Sequence, residues 1–248
     1  MGGLCNPHRH RLMRWMHLRF QAPLAAFGRE AIDAKGVTSD FPSQSMLTGL
    51  LANALGWSRA MRQEHQRLQS RIVYGAAREH EPVLGRMTDY QTAQLDKDDR
   101  AWTTRGIPAK RDGGPLTYKG AHQRWRDYHA DLRMSVVLRL TSDDEVPTLD
   151  DLETALVRPA RPLFIGRKPC LPAARFFQGW IDAGDVRSAL GAVAQSGDRT
   201  VRALWPASDG EANADLVTDV TDERNWLTGL HGGARRVCEG RVTPADTG

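Results

Sequence analysis

The chain has 248 residues, of which 40% are hydrophobic, and its formal net charge is +4 at neutral pH. This length and composition suffice for a buried core and exclude a disordered or fibrous protein. No apolar run approaches the roughly 18 residues of a membrane span, and the three scattered cysteines fit neither a disulfide framework nor paired zinc ligands. We therefore expect a cytoplasmic globular protein with no membrane association, metal or cofactor.

The first predicted elements are a strand and two helices. Residues 13–20 read MRWMHLRF, in which Met16, Leu18 and Phe20 occupy alternate positions, the pattern of a strand with one buried face. The residues up to 13 are predicted to be a disordered basic tail. In DFPSQSMLTGLLANALGW the apolar side chains share one helical stripe that begins near Ser43 and ends at Gly56. A polar helix, a strand in RIVYGAARE and its hairpin partner in PVLGRMTDYQTA follow.

Residues 100–126 have an unusual charge, with seven basic residues and one acid, Asp112. This stretch is also rich in glycine and poor in aliphatic residues, so it cannot fill a core. We predict that it forms a long projecting loop or hairpin. Its three large aromatic residues are Trp102, Tyr118 and Trp125.

Regular structure is predicted to resume with a strand at 131–140 and a helix capped by Thr148. A strand at 176–181, a helix at 185–194 and strands near 200–205, 216–220 and 235–242 complete the chain. This order of elements predicts an α+β fold, with a ferredoxin-like domain at 14–175 and a smaller β-rich part at 176–248.

The insertion is a candidate surface for single-stranded nucleic acid. Cations neutralise phosphates and release counterions, while flat rings accept unpaired bases. The candidate contacts are Arg105, Lys110, Arg111, Lys119, Arg124, Trp125 and Arg126. The alternative is a solvated loop with scattered charge.

Two further stretches could bind phosphate. The sequence GRKP at 166–169 combines Gly166, which lets a backbone approach a ligand closely, with the cations Arg167 and Lys168. An ordinary turn with surface charge explains it as well. At the start of the first helix, Ser43, Gln44 and Ser45 offer hydroxyls and N–H groups to a phosphate, and ordinary capping is the alternative.

A catalytic interpretation is also open. Metal-independent cleavage of RNA requires a base, an acid and a cation. Tyr118, Lys119 and His122 provide these groups within LTYKGAHQRW, and His129 follows nearby. Such a combination arises easily by chance in a chain with eight histidines.

Several blocks resemble the fifth Cas family of RAMP proteins, in its type I-E CRISPR branch. They are HLRFQAPLAAFG, DFPSQSMLTGLLANALG, TDYQT, WRDYHADLRMSVVLRL and RPLFIGRKPC, which occur in this order from Trp15 to Cys170. The resemblance implies a ferredoxin-like, RRM-related domain whose β-hairpin thumb corresponds to about 92–124. It also implies RNA contacts at Tyr90 and Thr92 and in the loop from Gly166 to Lys168.

By the same resemblance, the protein is a non-catalytic subunit of a Cascade surveillance complex in antiviral defence. It would hold the 5′ handle of the CRISPR RNA and use the thumb to kink that RNA. Its partners would be the backbone filament subunit and the large subunit, with target DNA met indirectly. The alternatives are a type I-C-like endoribonuclease that uses Tyr118, Lys119 and His122, and a structural subunit that contacts only protein.

The chain departs from the family pattern near the first helix. The family often has Arg-Pro-Thr before the helix and basic residues around FP, whereas this chain has Gly36, Val37 and Thr38, then Asp40 and Gln44. The start of the helix is therefore less cationic than the resemblance implies.

Overall fold

The computed structural model describes residues 12–29, 34–82, 85–94, 96, 101–102, 108–109, 120–142, 144–194 and 200–244, with the backbone alone at 101–102 and 108–109. The strands are β1 (Met13–Ala25), β2 (Lys35–Gly36), β3 (Ile72–His80), β4 (Arg86–Ala93), β5 (Ala101–Trp102), β6 (Pro108–Ala109), β7 (His122–Leu140), β8 (Phe177–Ala183), β9 (Val201–Pro206), β10 (Ala214–Val220) and β11 (Arg235–Val242). The helices are α1 (Gln44–Ala54), α2 (Arg62–Arg71), α3 (Leu149–Val157) and α4 (Val186–Val193). Most of the tail predicted at 1–13 lies outside the described residues.

The predicted α+β fold is confirmed, and its centre is one large sheet. Within the described residues, nine strands join this sheet, and its main path runs β10-β11-β9-β3-β7-β1-β8. All pairs along this path are antiparallel, β4 also pairs antiparallel with β7, and the short β2 runs parallel to β7. The strands of the predicted C-terminal part, β8 to β11, therefore share one sheet with the strands before them.

Each face of the sheet packs against its own helices, because alternate side chains of a strand point to opposite faces. On one face, Leu18 of β1 belongs to the same buried cluster as Leu51 of α1 and Leu152 of α3. On the other face, Trp15 of β1 packs in a second cluster with Leu190 of α4. Burying each of these large side chains contributes about 1.5–3 kcal/mol.

The predicted helix caps are present. The Ser43 hydroxyl accepts a hydrogen bond from the Met46 N–H at 3.1 Å. At the start of α3, Thr148 and Asp151 form a reciprocal capping box, with the Asp151 carboxylate accepting from the Thr148 N–H at 2.8 Å. Each cap satisfies backbone donors that have no acceptor inside the helix.

The prediction that β4 forms a hairpin with β3 is wrong. Strand β3 pairs with residues 133–140 of β7, and β4 pairs with residues 122–129 of the same strand. Since both run antiparallel to β7, they run in the same direction and follow one another along it. The strand predicted at 131–140 consequently begins nine residues earlier, at His122, and continues into the insertion.

A buried histidine lies in the middle of the sheet. His17 on β1 is 8% exposed, and its Nε2 lies 2.9 Å from the Ser135 hydroxyl of β7. Ser135 in turn donates a hydrogen bond to Glu79 Oε1 at 2.5 Å. Burial and the neighbouring Arg19 lower the pKa of His17 to about 4, so the fold accommodates the neutral imidazole.

We expect acidification from pH 6.5 to pH 4 to destabilise the fold through His17. The unfolded chain binds the proton near pH 6.5 and the folded chain only near pH 4, so this contribution to stability is complete above pH 6.5 and is lost as the pH falls. Urea unfolding measures the free energy of unfolding at both pH values. Between them, this free energy should fall by about 3 kcal/mol less in His17→Gln than in the parent. The control is His231→Gln, which replaces an exposed histidine. Parallel stability profiles for parent and His17→Gln would remove His17 as the cause.

Candidate nucleic-acid interface

The insertion is built on an antiparallel ladder between β4 and the first half of β7. This ladder runs from the pair Arg86 and His129 at its root to the pair Ala93 and His122 at its outer end. On the other side of β7, β2 lies beside Trp125 and Arg126. Beyond the ladder, the described residues of the insertion include one further strand pair, the two-residue strands β5 and β6.

One face of this ladder presents two exposed aromatic rings. Tyr90 and Trp125 are directly opposite each other in the register, and their ring centroids are 5.3 Å apart. Tyr90 is 52% exposed and Trp125 is 38% exposed, although aromatic side chains of this size normally lie in a core. Thr92 occupies the same face two residues beyond Tyr90.

The opposite face of the ladder carries two arginines and one acid, Asp89, which lies opposite Arg126 in the register. Arg124 and Arg126 alternate with Trp125, so their side chains leave β7 on the other side. Arg126 donates from Nε to Gln91 Oε1 at 3.0 Å, which fixes its stem against β4. Arg124 is exposed and donates to the Gln123 carbonyl at 2.8 Å. Arg124 and Arg126 therefore lie on a different face of the ladder from Trp125.

The loop that carries GRKP packs against the root of this ladder. The Ala26 N–H donates to the Ile165 carbonyl at 3.2 Å, and Gly166 has a φ of +83°. A Cβ at position 166 would lie 1.6 Å from the Ala26 carbonyl oxygen. The glycine is therefore required by contact with β1 and its following turn. Packing within the chain thus explains this glycine without the ligand approach that the sequence predicts.

Arg167 is directed at the protein itself. It donates to the Asp127 carbonyl at 2.8 Å and to the Gly36 carbonyl at 3.1 Å, and its guanidinium lies 4.8 Å from the Tyr128 ring centroid. These contacts join the loop to β2 and β7. The predicted phosphate contact Arg167 is thus bonded within the chain, whereas the other predicted contact, Lys168, is exposed.

The start of α1 has its donors satisfied within the chain. The Gln44 N–H donates to the Asp222 carboxylate at 3.0 Å, and the Ser45 N–H donates to the Asp222 carbonyl at 3.1 Å. The Met46 N–H is bonded to Ser43, as described for the cap. The N–H groups of Gln44 and Ser45 are therefore already bonded to Asp222, and phosphate binding at Ser43, Gln44 and Ser45 stays a prediction.

Asp222 itself is held by a partly buried network. Arg235 donates to both of its carboxylate oxygens, at 2.8 and 2.7 Å, and also to the Tyr74 hydroxyl. Tyr74 donates to the Pro42 carbonyl at 2.7 Å, just before α1. The Asp222 carboxylate is therefore an anion from within the chain, and it lies at the positive end of the α1 dipole. This is the helix start that carries fewer cations than the family pattern.

A cleft of about 890 Å³ opens beside the start of α1. Ser43, Ser45 and Gly166 line it. Its charged lining is balanced and consists of Arg29, Arg59, Arg86 and Arg224 with Asp40, Asp219, Asp222 and Glu239. Burial raises the pKa of Asp40, but hydrogen bonds from Arg202 and Arg86 outweigh this and hold it at about 2. The balance makes the cleft a weaker anion site than the arginine face of the ladder.

The remaining predicted contacts lie outside the described residues. These are Arg105, Lys110, Arg111 and Lys119, together with Tyr118 of the catalytic alternative. His122 stands at the outer end of the ladder and His129 at its root, so their backbones are separated by about 23 Å of strand. His129 is 1% exposed, and its Nε2 lies 2.7 Å from the Ser39 carbonyl, with which it forms a hydrogen bond. His129 therefore has a structural role, because it is buried and hydrogen-bonded within the chain.

Several residues that shape this region are not recognisable from any local pattern in the sequence. Lys35 becomes a neighbour of Trp125 only through the pairing of β2 with β7. Arg86 and Arg202 meet at Asp40 although they are far apart in the chain. Among the described residues, no group of three His, Cys, Asp or Glu side chains could hold a metal ion. In the same part of the chain, no helix is long and apolar enough to cross a membrane.

The architecture is shared with CRISPR-associated proteins of known structure. One is described as "CRISPR RNA-guided surveillance complex", with a TM-score of 0.64, 19% identity, and coverage of 94% of this chain and 92% of that chain. Another is described as "Crystal structure of Cas protein", with a TM-score of 0.59, 20% identity, and coverage of 92% and 95%. The fold is therefore one found among Cas proteins.

The particular family follows from the sequence match. The family described as CRISPR-associated protein (Cas_Cas5) matches residues 15–238, and the chain belongs to it. The chain is also 28% identical over 183 residues to the CRISPR system Cascade subunit CasD of Escherichia coli (strain K12), covering 71% of this chain and 75% of that protein. The predicted membership in the fifth Cas family is confirmed.

Proposed function

We propose that this protein is a non-catalytic RNA-binding subunit of a type I-E CRISPR surveillance complex. In this role it binds the 5′ handle of the guide RNA and kinks it with the β4–β7 insertion. The observation that carries the proposal is the exposed pair of Tyr90 and Trp125, backed by Arg124 and Arg126 on the opposite face. A cytoplasmic location and contacts with other Cascade subunits belong to the same proposal.

The two faces of the ladder suit two parts of a single strand of RNA. A base that leaves its stack gains about 1–3 kcal/mol by stacking on an aromatic ring such as Trp125. Phosphates on either side of that base are attracted to Arg124, Arg126 and the exposed Lys168. An RNA strand that contacts both faces must bend around the ladder. Such a bend is the change of direction that a kink in the RNA requires.

The proposal includes a more specific fold, a ferredoxin-like domain with a thumb. The central strands lie in the order β8-β1-β7-β3 and are all antiparallel, with α1 and α2 between β1 and β3 and α3 between β7 and β8. This order and these connections support a ferredoxin-like, RAMP-type domain. The ladder of β4 and β7 supports the assignment of the insertion at about 92–124 as its thumb.

The relatives support the biological setting. One is named as a Cascade subunit, and one of the similar structures is described as an RNA-guided surveillance complex. We infer from these names that this chain meets a guide RNA and the backbone filament and large subunits of a similar complex. Target DNA would then be met indirectly through the guide.

RNA binding should depend on the ring of Trp125. Trp125→Ala is expected to weaken binding of a guide RNA with its 5′ handle by about 1–3 kcal/mol, or about 5- to 150-fold, because one stacked base loses its ring. Fluorescence anisotropy with labelled RNA measures this. The matched control is Leu216→Ala, which shortens an apolar side chain that is 53% exposed on β10, at a sheet edge away from the ladder. Equal affinities for parent and Trp125→Ala, with unchanged folding, would exclude stacking at this ring.

The salt dependence separates phosphate contacts from stacking in the same assay. Replacing Arg124, Arg126 and Lys168 together by Ala should reduce the slope of log K against log salt by about 2, since each contact with a single strand contributes about 0.7. Trp125→Ala should leave that slope unchanged. An unchanged slope in the triple variant would place the phosphates elsewhere. The absence of any RNA shift at low salt would favour the purely structural alternative.

The absence of catalysis is tested with the same RNA. The parent protein incubated with a CRISPR repeat RNA in EDTA should leave it intact. A discrete cut that is lost in His122→Ala would instead support the endoribonuclease alternative with Tyr118, Lys119 and His122.

A further inference from the structure

An apolar cavity lies on the side of the sheet edge formed by β8. Its volume is about 500 Å³, between the C-terminal end of α3 and the segment that leads into β8. Its apolar lining consists of Leu156, Val157, Pro159, Leu163, Pro172, Ala174, Phe176 and Phe177. Arg158 and Arg175 complete the lining, which contains no carboxylate.

The surroundings of this cavity are open and apolar. Val157 is 50% exposed at its rim, and Leu171 in the adjoining segment is 61% exposed. Both arginines of the lining are exposed as well. An exposed apolar surface around a concave site, with charges of one sign at its rim, is typical of a binding site for another molecule.

The cavity continues into an unpaired strand edge. Phe177 lines the cavity and is also the first residue of β8. In the part of the chain that the structure describes, β8 pairs with β1 on one side and with no strand on the other. A free edge offers backbone donors and acceptors to an added strand. Gly179 in the middle of β8 has no atom within 4 Å of the position of a Cβ, which leaves room there.

We propose that this cavity and the outer edge of β8 bind an extended segment of another protein subunit of the same CRISPR complex. The segment pairs with β8, inserts an apolar side chain between Val157 and Phe177, and directs carboxylates toward Arg158 and Arg175. The proposal rests on the membership of this chain in a family with a Cascade subunit, and it does not require the RNA contacts of the ladder.

The charges decide between the possible occupants. A two-fold contact between copies of this chain would bring the same patch of each copy together. Four arginines, Arg158 and Arg175 of each copy, would then share one interface, without any carboxylate in the lining to compensate. The two arginines would attract phosphates, but nucleic acid is disfavoured because most of the lining is aliphatic or proline and gives bases few rings to stack on. A protein segment with apolar and acidic residues satisfies both features of the site.

The test uses the other protein subunits of this CRISPR complex, purified together without this chain, as the binding probe. Against immobilised full-length protein, Val157→Asp and Arg175→Glu should each weaken their binding at least about tenfold, since they place negative charge in the apolar site or remove its cation. Leu216→Asp is the matched control, because Leu216 is 53% exposed on β10 at the opposite edge of the sheet. The control should bind like the parent, and all three variants should keep the parent's affinity for RNA.

A photo-crosslinking residue at position 157 identifies the partner in the assembled complex. The expected product joins this chain to an apolar and acidic segment of another subunit. Unchanged subunit binding in both Val157→Asp and Arg175→Glu overturns the proposal. A crosslink to a second copy of this chain, or to RNA, overturns it in favour of that occupant. If RNA affinity disappears while subunit binding persists in these variants, the surface belongs to the RNA and the proposal is also wrong.

Discussion

Gly166→Ala is expected to lower the free energy of unfolding by at least about 3 kcal/mol. The new Cβ would lie 1.6 Å from the Ala26 carbonyl oxygen, and the atom it meets belongs to the backbone rather than to a flexible side chain. Relief requires the loop to move away from Ala26, which breaks the hydrogen bond from the Ala26 N–H to the Ile165 carbonyl. The positive φ of +83° adds about 1–2 kcal/mol for any residue with a Cβ.

Chemical denaturation of Gly166→Ala and Gly229→Ala separates these two costs. Gly229 has the same φ, +83°, but its Cβ would meet no atom closer than 3.6 Å, an ordinary contact. Gly229→Ala should therefore lose only the conformational part, about 1–2 kcal/mol. An equal loss in the two variants would show that backbone strain alone explains Gly166. Because the loop anchors the root of the ladder through Arg167, surviving Gly166→Ala protein should also bind RNA more weakly.

The local parts of this fold could be predicted from the sequence. The start of α1 needs only Ser43 and the apolar stripe after it, and α3 needs only Thr148 and Asp151 within one turn. The strand β1 shows its alternation within a few residues. Each of these signals acts between neighbours in the chain, where the geometry of one element decides the outcome.

The parts that differed from expectation depend on distant pairing. The partner of β4 is decided by the length of β7, which no local pattern in residues 86–93 reveals. Alternation along this ladder separates Arg124 and Arg126 from Trp125, although the three are consecutive in the sequence. Arg167 accounts for two hydrogen bonds with residues 40 and 131 positions away. A charged residue near a glycine therefore predicted a ligand contact where the fold uses the charge internally.

The start of α1 also depends on a residue that is distant in the chain, Asp222, and replacing this residue gives the second large expected loss of stability. Asp222→Ala is expected to lower the free energy of unfolding by roughly 3 kcal/mol, because it leaves a partly buried cation uncompensated. Arg235, whose side chain is 14% exposed, loses both of its carboxylate contacts, and the Gln44 N–H loses its acceptor. Urea unfolding measures the loss. Asp219→Ala removes an exposed acid that lines the same cleft and should cost far less.

Phosphate should partly restore the stability of Asp222→Ala, and this response tests the physical reason for the loss. Removing the carboxylate leaves the Gln44 N–H at the positive end of α1 and the guanidinium of Arg235 facing one position, which suits an anion. At about 50 mM phosphate, compared with chloride at equal ionic strength, the melting temperature of the variant should rise more than that of the parent, since ligand binding to the folded form stabilises it. Equal shifts in parent and variant would mean that Asp222 stabilises the protein only through Arg235 and that the start of α1 does not attract anions.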